Sequence, residues 1–514
     1  MTILGNIIKT AIELKEKLTS EDDPTAAQIN VLKSLLERAK DTAFGKAYNF
    51  ERILENEDIR KAFAQGVPIF GYDKIHSEWW HKIEEGETDV TWPGKPTYMA
   101  LSSGTTSGAS KKIPVTDDML EATRQSSIQQ ITCLAHFDLP AEFFEKEIMM
   151  LSSTTRLNEN ADIPEGDISG ISAGNIPFWF KNYCRPGEDI LGITDFEKRI
   201  EEIALNAPKW DIGALSGIPS WIELMLKKII EVNKLNTIHD IWPNLQVYAT
   251  GGVAFGPYQK SFEQLLDKPL TYIDTYFCSE GFLAFQTRPE THAMALALSN
   301  GIYFEFVPFL EKYINEDGTL TQDAPHMTIE ELREDEEYVI LISTVSGAWR
   351  YVLGDTIKLV NKENNEIVIT GRTKHFLNVV GSKLSVDTMN TAMQTLEAEL
   401  GATITEFTVA AVKTDAGYIH KWYIGSSDLA DSSAAAEKID AKLQELNHNY
   451  QTAREQALSG IVVEVIDPNL FYEWNAETNK KGGQVKTPRV MKEEQFKEWE
   501  EFVNQQKLST ATIG

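Results

Sequence analysis

The chain has 514 residues, 42% of them apolar and 25% charged, with a formal net charge of −28. That length calls for two or more domains, and so large an acidic excess excludes general binding to nucleic acid or to an anionic membrane surface. Three widely separated cysteines (Cys133, Cys184, Cys278) and nine histidines without an HExxH-type cluster exclude a disulfide framework and a zinc centre, and they fit a reducing compartment.

The first 65 residues read as helical, because Ile3, Ile7, Ile8, Ile12 and Leu14, then Ile29, Leu32, Leu35 and Leu36, mark helix faces. This start lacks the basic leading segment of a signal peptide, and no run of about 18 apolar residues follows. The expected setting is therefore cytoplasmic. An extended stretch at 96–103 leads into SSGTTSGASKK, residues 102–112, after which Thr116 or Asp117 caps a helix beginning DDMLEATRQSS. A strand, a glycine loop and a helix in that order suit phosphate binding. Gly104 and Gly108 allow close backbone approach. The amides and hydroxyls of Ser102, Ser103, Thr105, Thr106 and Ser107 can donate to phosphate oxygens, and Lys111 or Lys112 can supply positive charge. The loop has no GK[ST], so it is not a Walker P-loop. A flexible surface loop is the alternative for such a composition.

Strands are expected at 147–153, 245–251, 270–277, 293–298, 302–307, 338–344, 356–360 and 366–371, with helices at 194–206, 219–233 and 257–267. The alternation gives a large α/β body with mixed sheets. An aromatic run at 175–183 reads either as the lining of a pocket for an aryl or hydrophobic ligand or as core. TYFCSEG, 275–281, ends a strand in Ser279 and Glu280. A glutamate there can hold Mg2+ beside a triphosphate, or stand as an ordinary surface acid. WRYVLGD, 349–355, places Gly354 and Asp355 at a strand-to-strand turn. An aspartate so held can accept two hydrogen bonds from a ribose diol, or merely form the turn.

Within GRTKHFLNVVGSK, 371–383, Arg372, Lys374 and Lys383 form a basic patch. The pattern then restarts on a smaller scale, with a helix at 386–400, strands at 405–413 and 418–424, a long helix at 432–458, a strand at 461–466 and a last helix at 491–507. The expected division is a large domain, 1–371, and a small α/β domain, 372–514, with a hinge near 371–375. GGQVKTPR, 482–489, adds a late basic turn carrying Lys486 and Arg489.

The order of these runs is that of adenylate-forming enzymes. Within that superfamily the chain resembles, over almost its whole length, the auxin-conjugating Gretchen Hagen family of acyl-acid amido synthetases. SSGTTSGASKKIPVT is similar to that family's SSGTSxGxxKxxPxT loop, and QVKTPR to its QYKTPR. TYFCSE resembles YASSE, with Phe277 and Cys278 replacing the central pair, and ATGGVAFGPY, 249–258, looks like the segment along the adenine. RYVLGD is similar to YRVGD, but Val352 stands where the family has arginine.

The resemblance implies a ligase that activates a small carboxylic acid as acyl-AMP, releasing pyrophosphate from ATP, and passes the acyl group to the amine of an amino acid. It implies a mixed-sheet adenylate-forming domain followed by a mobile small domain. Ser102, Ser103, Gly104, Thr105 and Thr106 would hold the β- and γ-phosphates. Gly251, Gly252, Tyr276 and Arg372 would complete the nucleotide site, with Ser279 at the α-phosphate and Asp355 at the ribose. Glu280 would bind Mg2+, and Lys383 or Lys486 would set positive charge against the phosphate. No dedicated Ser-His-Asp or Cys-His nucleophile is required. A monomer suffices, with neither nucleic acid nor membrane as partner. Two other readings stay open: a ligase with coenzyme A as acceptor, and a non-catalytic nucleotide-binding protein of the same fold.

Overall fold

The helical spacing at the start of the chain is realised as a series of helices in the computed structural model, beginning with Ile3–Leu18 and Pro24–Ala39. The second is started by Asp23, whose carboxylate accepts the Ala26 amide at 2.9 Å, with Pro24 in the first turn. The structure describes residues 3–511 except 19–22, 103–110, 159–160, 254, 316–317, 322, 374–383, 385, 415–416, 448–449, 452, 455–457, 479–486 and 492. Among the described residues no helix is long and apolar enough to cross a membrane.

The strands in chain order are β1 (Tyr98–Ser102), β2 (Lys111–Val115), β3 (Glu147–Met150), β4 (Glu165–Gly166), β5 (Cys184–Arg185), β6 (Ile212–Gly217), β7 (Val247–Gly251), β8 (Thr271–Cys278), β9 (Gly281–Phe285), β10 (Met294–Leu296), β11 (Ile302–Pro308), β12 (Glu337–Thr344), β13 (Tyr351–Asn361), β14 (Glu366–Arg372), β15 (Glu406–Thr414), β16 (Gly417–Gly425) and β17 (Leu458–Ile466). Among the described residues they form three sheets. The first is β2-β1-β4, the second β11-β12-β13-β14-β10-β9-β8-β7-β6-β3-β5, and the third β15-β16-β17. In the large sheet, β8, β7, β6, β3 and β5 are mutually parallel. Helices Phe196–Asn206 and Pro219–Asn233 supply crossovers there, as parallel pairing requires. From β8 to β9, and from β11 through β13, the pairing is antiparallel, so the sheet is mixed as expected.

The chain divides into two compact units: Met1–Val253 with Leu265–Val368, and Ala254–Gln264 with Ile369–Gly514. The first carries an aromatic core in which Phe44, Phe50, Phe63, Phe70, Trp80, Trp349 and Tyr351 are buried together. Phe44 stacks on Trp349 with ring centroids 5.7 Å apart, and the Trp349 indole donates to the Thr91 carbonyl at 3.0 Å. Beside it the Arg350 guanidinium is buried against Glu305 at 3.0 Å, while its Nη1 donates to the Ala64 and Val67 carbonyls. These contacts fix the entry into β13. In the second unit, helices Val386–Leu400 and Ser432–Leu446 pack with the β15–β17 sheet around Phe407, Trp422 and Ile439.

Three local expectations are corrected. The glycine loop joins two antiparallel strands, β1 and β2, and does not lead straight into a helix. The helix Asp117–Cys133 starts only after β2, capped by Thr116, whose hydroxyl accepts the Met119 amide at 3.1 Å. Gly354 and Asp355 lie inside the continuous strand β13 and not at a turn between strands. The helix expected at 432–458 is interrupted: Ser432–Leu446 is helical, Asn447 is not, residues 450, 451, 453 and 454 are helical again, and β17 begins at Leu458.

Candidate functional site

The run TYFCSEG folds as a tight hairpin. Cys278 pairs with Gly281, which leaves Ser279 and Glu280 as the two tip residues between β8 and β9. Hairpin tips usually face water, and a glutamate is rarely buried without a partner. Here Ser279 is 8% exposed and Glu280 6%, so the surface-acid alternative fails. The buried Tyr351 hydroxyl faces the Glu280 carboxylate. Burial, and then the negative charge of Glu280, push that phenol well above its usual range, so it stays protonated. Burial first, then Glu280 and Asp355, likewise push the Cys278 thiol well up. A thiol in that state is not a nucleophile.

Asp355 reaches the same place through an irregularity in its strand. Val339 of β12 pairs with Thr356 of β13 and Leu341 with Val352, so residues 353–355 bulge from the ladder. Gly354, at φ +87°, takes the left-handed conformation that the bulge needs. The bulge turns Asp355 inward, 5% exposed, where its Oδ2 accepts the Tyr276 hydroxyl at 2.5 Å. Tyr276 lies on β8, four steps from β13 in sheet order. Four steps across a flat sheet would be about 19 Å at about 4.8 Å each, too far for a direct side-chain bond. The sheet therefore curls, bringing β13 over β8. Val352, at the position where an arginine was expected, packs with the apolar cluster of Val307, Val339 and Leu341.

The glycine pair ends β7 beside the same strand. Gly251 pairs with Thr275, and a Cβ on Gly251 would meet the Thr275 Oγ1 at 2.4 Å, so only glycine fits. Gly252 has φ +81°. Thus Gly251, Tyr276, Ser279, Glu280 and Asp355 gather at the carboxyl ends of the parallel strands β7 and β8, where open α/β sheets bind ligands. Ser102 and the β1–β2 hairpin adjoin them through Tyr72. The Lys112 amide donates to the Tyr72 hydroxyl at 2.9 Å, and Tyr72 lies within electrostatic reach of Tyr351.

Of the two loop lysines, Lys112 is committed to ion pairs with Glu84 at 3.1 Å and Glu165 at 2.5 Å, while Lys111 lies over the Tyr72 ring. Arg372 ends β14 and is exposed, within the second unit. Ser103, Gly104, Thr105, Thr106, Lys374, Lys383 and Lys486 lie outside the described residues. In the aromatic run, Phe178 is 83% exposed, so that residue is not core. Sequence reasoning missed Tyr351 and Tyr72. The first lies within the quoted RYVLGD run, whereas Tyr72 carries no signal of its own.

Among the described residues no three acidic, histidine or cysteine side chains converge on one point. The site offers the Glu280 carboxylate and the Ser279 hydroxyl, with the Asp355 carboxylate bonded to Tyr276. That set suits Mg2+ held jointly with phosphate oxygens and water, and not an all-protein metal cage.

The chain matches the GH3 family N-terminal domain over residues 13–203, the GH3 family central domain over 295–372 and the GH3 family C-terminal domain over 387–495. It is 22% identical over 432 residues to jasmonoyl–L-amino acid synthetase JAR4 of Nicotiana attenuata, covering 70% of this chain and 72% of that one. It is also 22% identical over 524 residues to indole-3-acetic acid-amido synthetase GH3.2 of Arabidopsis thaliana, covering 86% and 92%. In fold it is similar to the solved GH3.15 acyl acid amido synthetase, with a TM-score of 0.77 at 17% identity over 97% of this chain and 96% of that one. A 2-hydroxyisobutyryl-CoA ligase in complex with 2-HIB-AMP follows at a TM-score of 0.57 and 12% identity, covering 93% and 91%.

Proposed function

We infer the reaction from the family to which these matches assign the chain: it belongs to the GH3 family. The protein is an ATP-dependent acyl-acid amido synthetase. In the first half-reaction an oxygen of a small carboxylic acid bonds to the α-phosphorus of ATP as the bond to the β-phosphate breaks, giving acyl-AMP and pyrophosphate. In the second, an amino acid's nitrogen bonds to the acyl carbon, the bond from that carbon to the bridging oxygen breaks so that AMP departs with that oxygen, and the amine loses a proton. A carboxylate is a poor acyl donor, and AMP gives it a good leaving group.

The observation that carries this reading is the buried Ser279–Glu280 hairpin tip beside the Tyr276–Asp355 pair. Phosphoryl transfer needs positioning and charge neutralisation rather than a protein nucleophile, and that is what the described residues can supply. Asp355, whose Oδ2 accepts the Tyr276 hydroxyl, would accept hydrogen bonds from the two ribose hydroxyls. Gly251 and Gly252 give the adenine an open backbone face, and Ser279 contacts the α-phosphate. Glu280 would hold Mg2+ with the nucleotide's phosphates; when bound, the ion offsets charge on the departing pyrophosphate. Ser102 to Thr106 hold the β- and γ-phosphates. Lys383 or Lys486 would supply the positive charge, Lys486 in one of two orientations of a small domain that moves on a hinge near 371–375. Preorganised contacts of this kind are each worth roughly 3–4 kcal/mol at the transition state.

Three free cysteines support a reducing, cytoplasmic setting, and a monomer suffices for every role above. The test is ATP–pyrophosphate exchange across a library of carboxylic acids. Exchange with at least one acid is expected, absent without acid, abolished by EDTA and restored by Mg2+. ATP binding without acid-dependent exchange would instead indicate a non-catalytic relative.

A further inference from the structure

The second unit contains a buried ion pair that the functional roles above leave unused. The Arg489 guanidinium donates to Glu406 Oε2 at 2.5 Å and to the Phe407 carbonyl at 3.1 Å, and it lies over the Phe407 ring at 4.4 Å. The other Glu406 oxygen accepts the hydroxyl of Tyr258. Glu406 is 6% exposed and Tyr258 3%. All three residues belong to the second unit. A buried ion pair is weak evidence for stability, since apolar residues of similar volume often serve as well. What it does supply is fixed geometry: Arg489 holds five donors in a rigid fork, and Glu406 uses both oxygens.

The geometry being fixed is that of the segment around Arg489. The Val409 amide donates to the Arg489 carbonyl at 3.0 Å, and the Met491 amide to the Val409 carbonyl at 2.9 Å. The Thr408 hydroxyl donates to the Pro488 carbonyl at 2.7 Å, and the Asn475 amide group to the Thr487 hydroxyl at 2.9 Å. The segment is thus stitched to β15 at Pro488, Arg489 and Met491 and to the helix Asn469–Thr478 at Thr487, and Lys486 directly precedes it in sequence. A lysine is a point charge on a flexible four-carbon stem, so the position of its ammonium depends on how firmly its backbone is placed. Tyr258, at the far end of the cluster, follows the Gly251–Gly252 pair by six residues.

We propose that Tyr258, Glu406 and Arg489 are positioning residues for Lys486 in acyl-adenylate formation, their buried cluster holding the segment from which the lysine reaches the phosphate. This rests on the acyl-adenylate reading above. The experiment measures ATP–pyrophosphate exchange by the full chain with a panel of aryl, alkyl and hydroxy acids beginning with indole-3-acetate. The wild type is compared with Arg489→Lys, Glu406→Gln and Tyr258→Phe, each alone and combined with Lys486→Ala. A displaced catalytic group loses on the order of a hundredfold in rate. Arg489→Lys and Glu406→Gln are therefore expected to lower kcat about ten- to a hundredfold, leave the KM for ATP within about twofold, and add nothing in the Lys486→Ala background. Tyr258→Phe, which removes one hydroxyl and no charge, keeps the test open if the other variants fold poorly; it should lose kcat several-fold and also add nothing to Lys486→Ala. Wild-type kcat in Arg489→Lys and Tyr258→Phe, or the same fractional loss with and without Lys486, would overturn the proposal. Wild-type chain silent with every acid would instead defeat the acyl-adenylate reading itself.

Discussion

A glutamate at the tip of a two-residue hairpin is ordinarily solvated, and an aspartate after glycine ordinarily marks a turn. Glu280 and Asp355 are neither, and at each the departure is visible in burial and in a tyrosine partner. Asp355→Asn should raise the KM for ATP at least tenfold, and Tyr276→Phe should do so by a smaller factor. A hydrogen bond to a charged group contributes about 1.5–3 kcal/mol; unchanged KM values in a titration of exchange rate against ATP would remove Asp355 from the ribose. A different residue sets an acid limit. Burial holds the His420 imidazole down at about 3, with Arg454 adding to the effect, against about 6.5 in an unfolded chain. Between those values the unfolded chain binds a proton that the folded chain does not. Stability is therefore full above about pH 6.5 and declines as the pH falls toward 3, by about 2 kcal/mol between pH 7 and pH 5 from this group. His420→Gln should narrow the pH 7 to pH 5 difference in the second unit's unfolding free energy by that amount. An unchanged difference would mean that His420 already binds its proton when folded.

The elements decide which of these residues can meet. Glu280 and Asp355 were legible in the sequence because each sits beside a glycine at the end of an apolar run, and Ser279 because it directly precedes Glu280. The β13 bulge was not, because a bulge is a mismatch between two strands: residues 353–355 stand out only once Thr356 and Val352 are paired with Val339 and Leu341. The same holds for β2. KKIPV contains a proline and two lysines, which lower its strand signal, and pairing with β1 overrides it. Tyr72 and Tyr351 join the site through packing across the aromatic core, which no local pattern reports. Gly354→Ala tests the bulge. At φ +87° an alanine is strained by about 1–2 kcal/mol, so the variant should unfold at lower denaturant and bind ATP more weakly. A variant that loses stability but keeps its ATP affinity would show that the bulge does not aim Asp355.

At the scale of the whole chain, the order of motifs carried more information than any one of them, and the mixed α/β fold followed from alternating strand and helix patterns. The composition of two units in space was less legible. Residues 254–264 lie in sequence between β7 and β8 but group with residues 369–514. An eleven-residue segment joined by packing, through residues such as Tyr258, leaves no composition shift to read. Val352 was legible as a departure, and its place in an apolar cluster gives it no role toward a polar substrate. The central claim is that one chain makes acyl-AMP and then an amide. It is tested most directly by mass spectrometry of the products formed from ATP, Mg2+, an acid active in exchange, and either the twenty amino acids or coenzyme A. The account predicts AMP, pyrophosphate and an acyl–amino acid amide, with no thioester. A thioester formed in preference to any amide would contradict it.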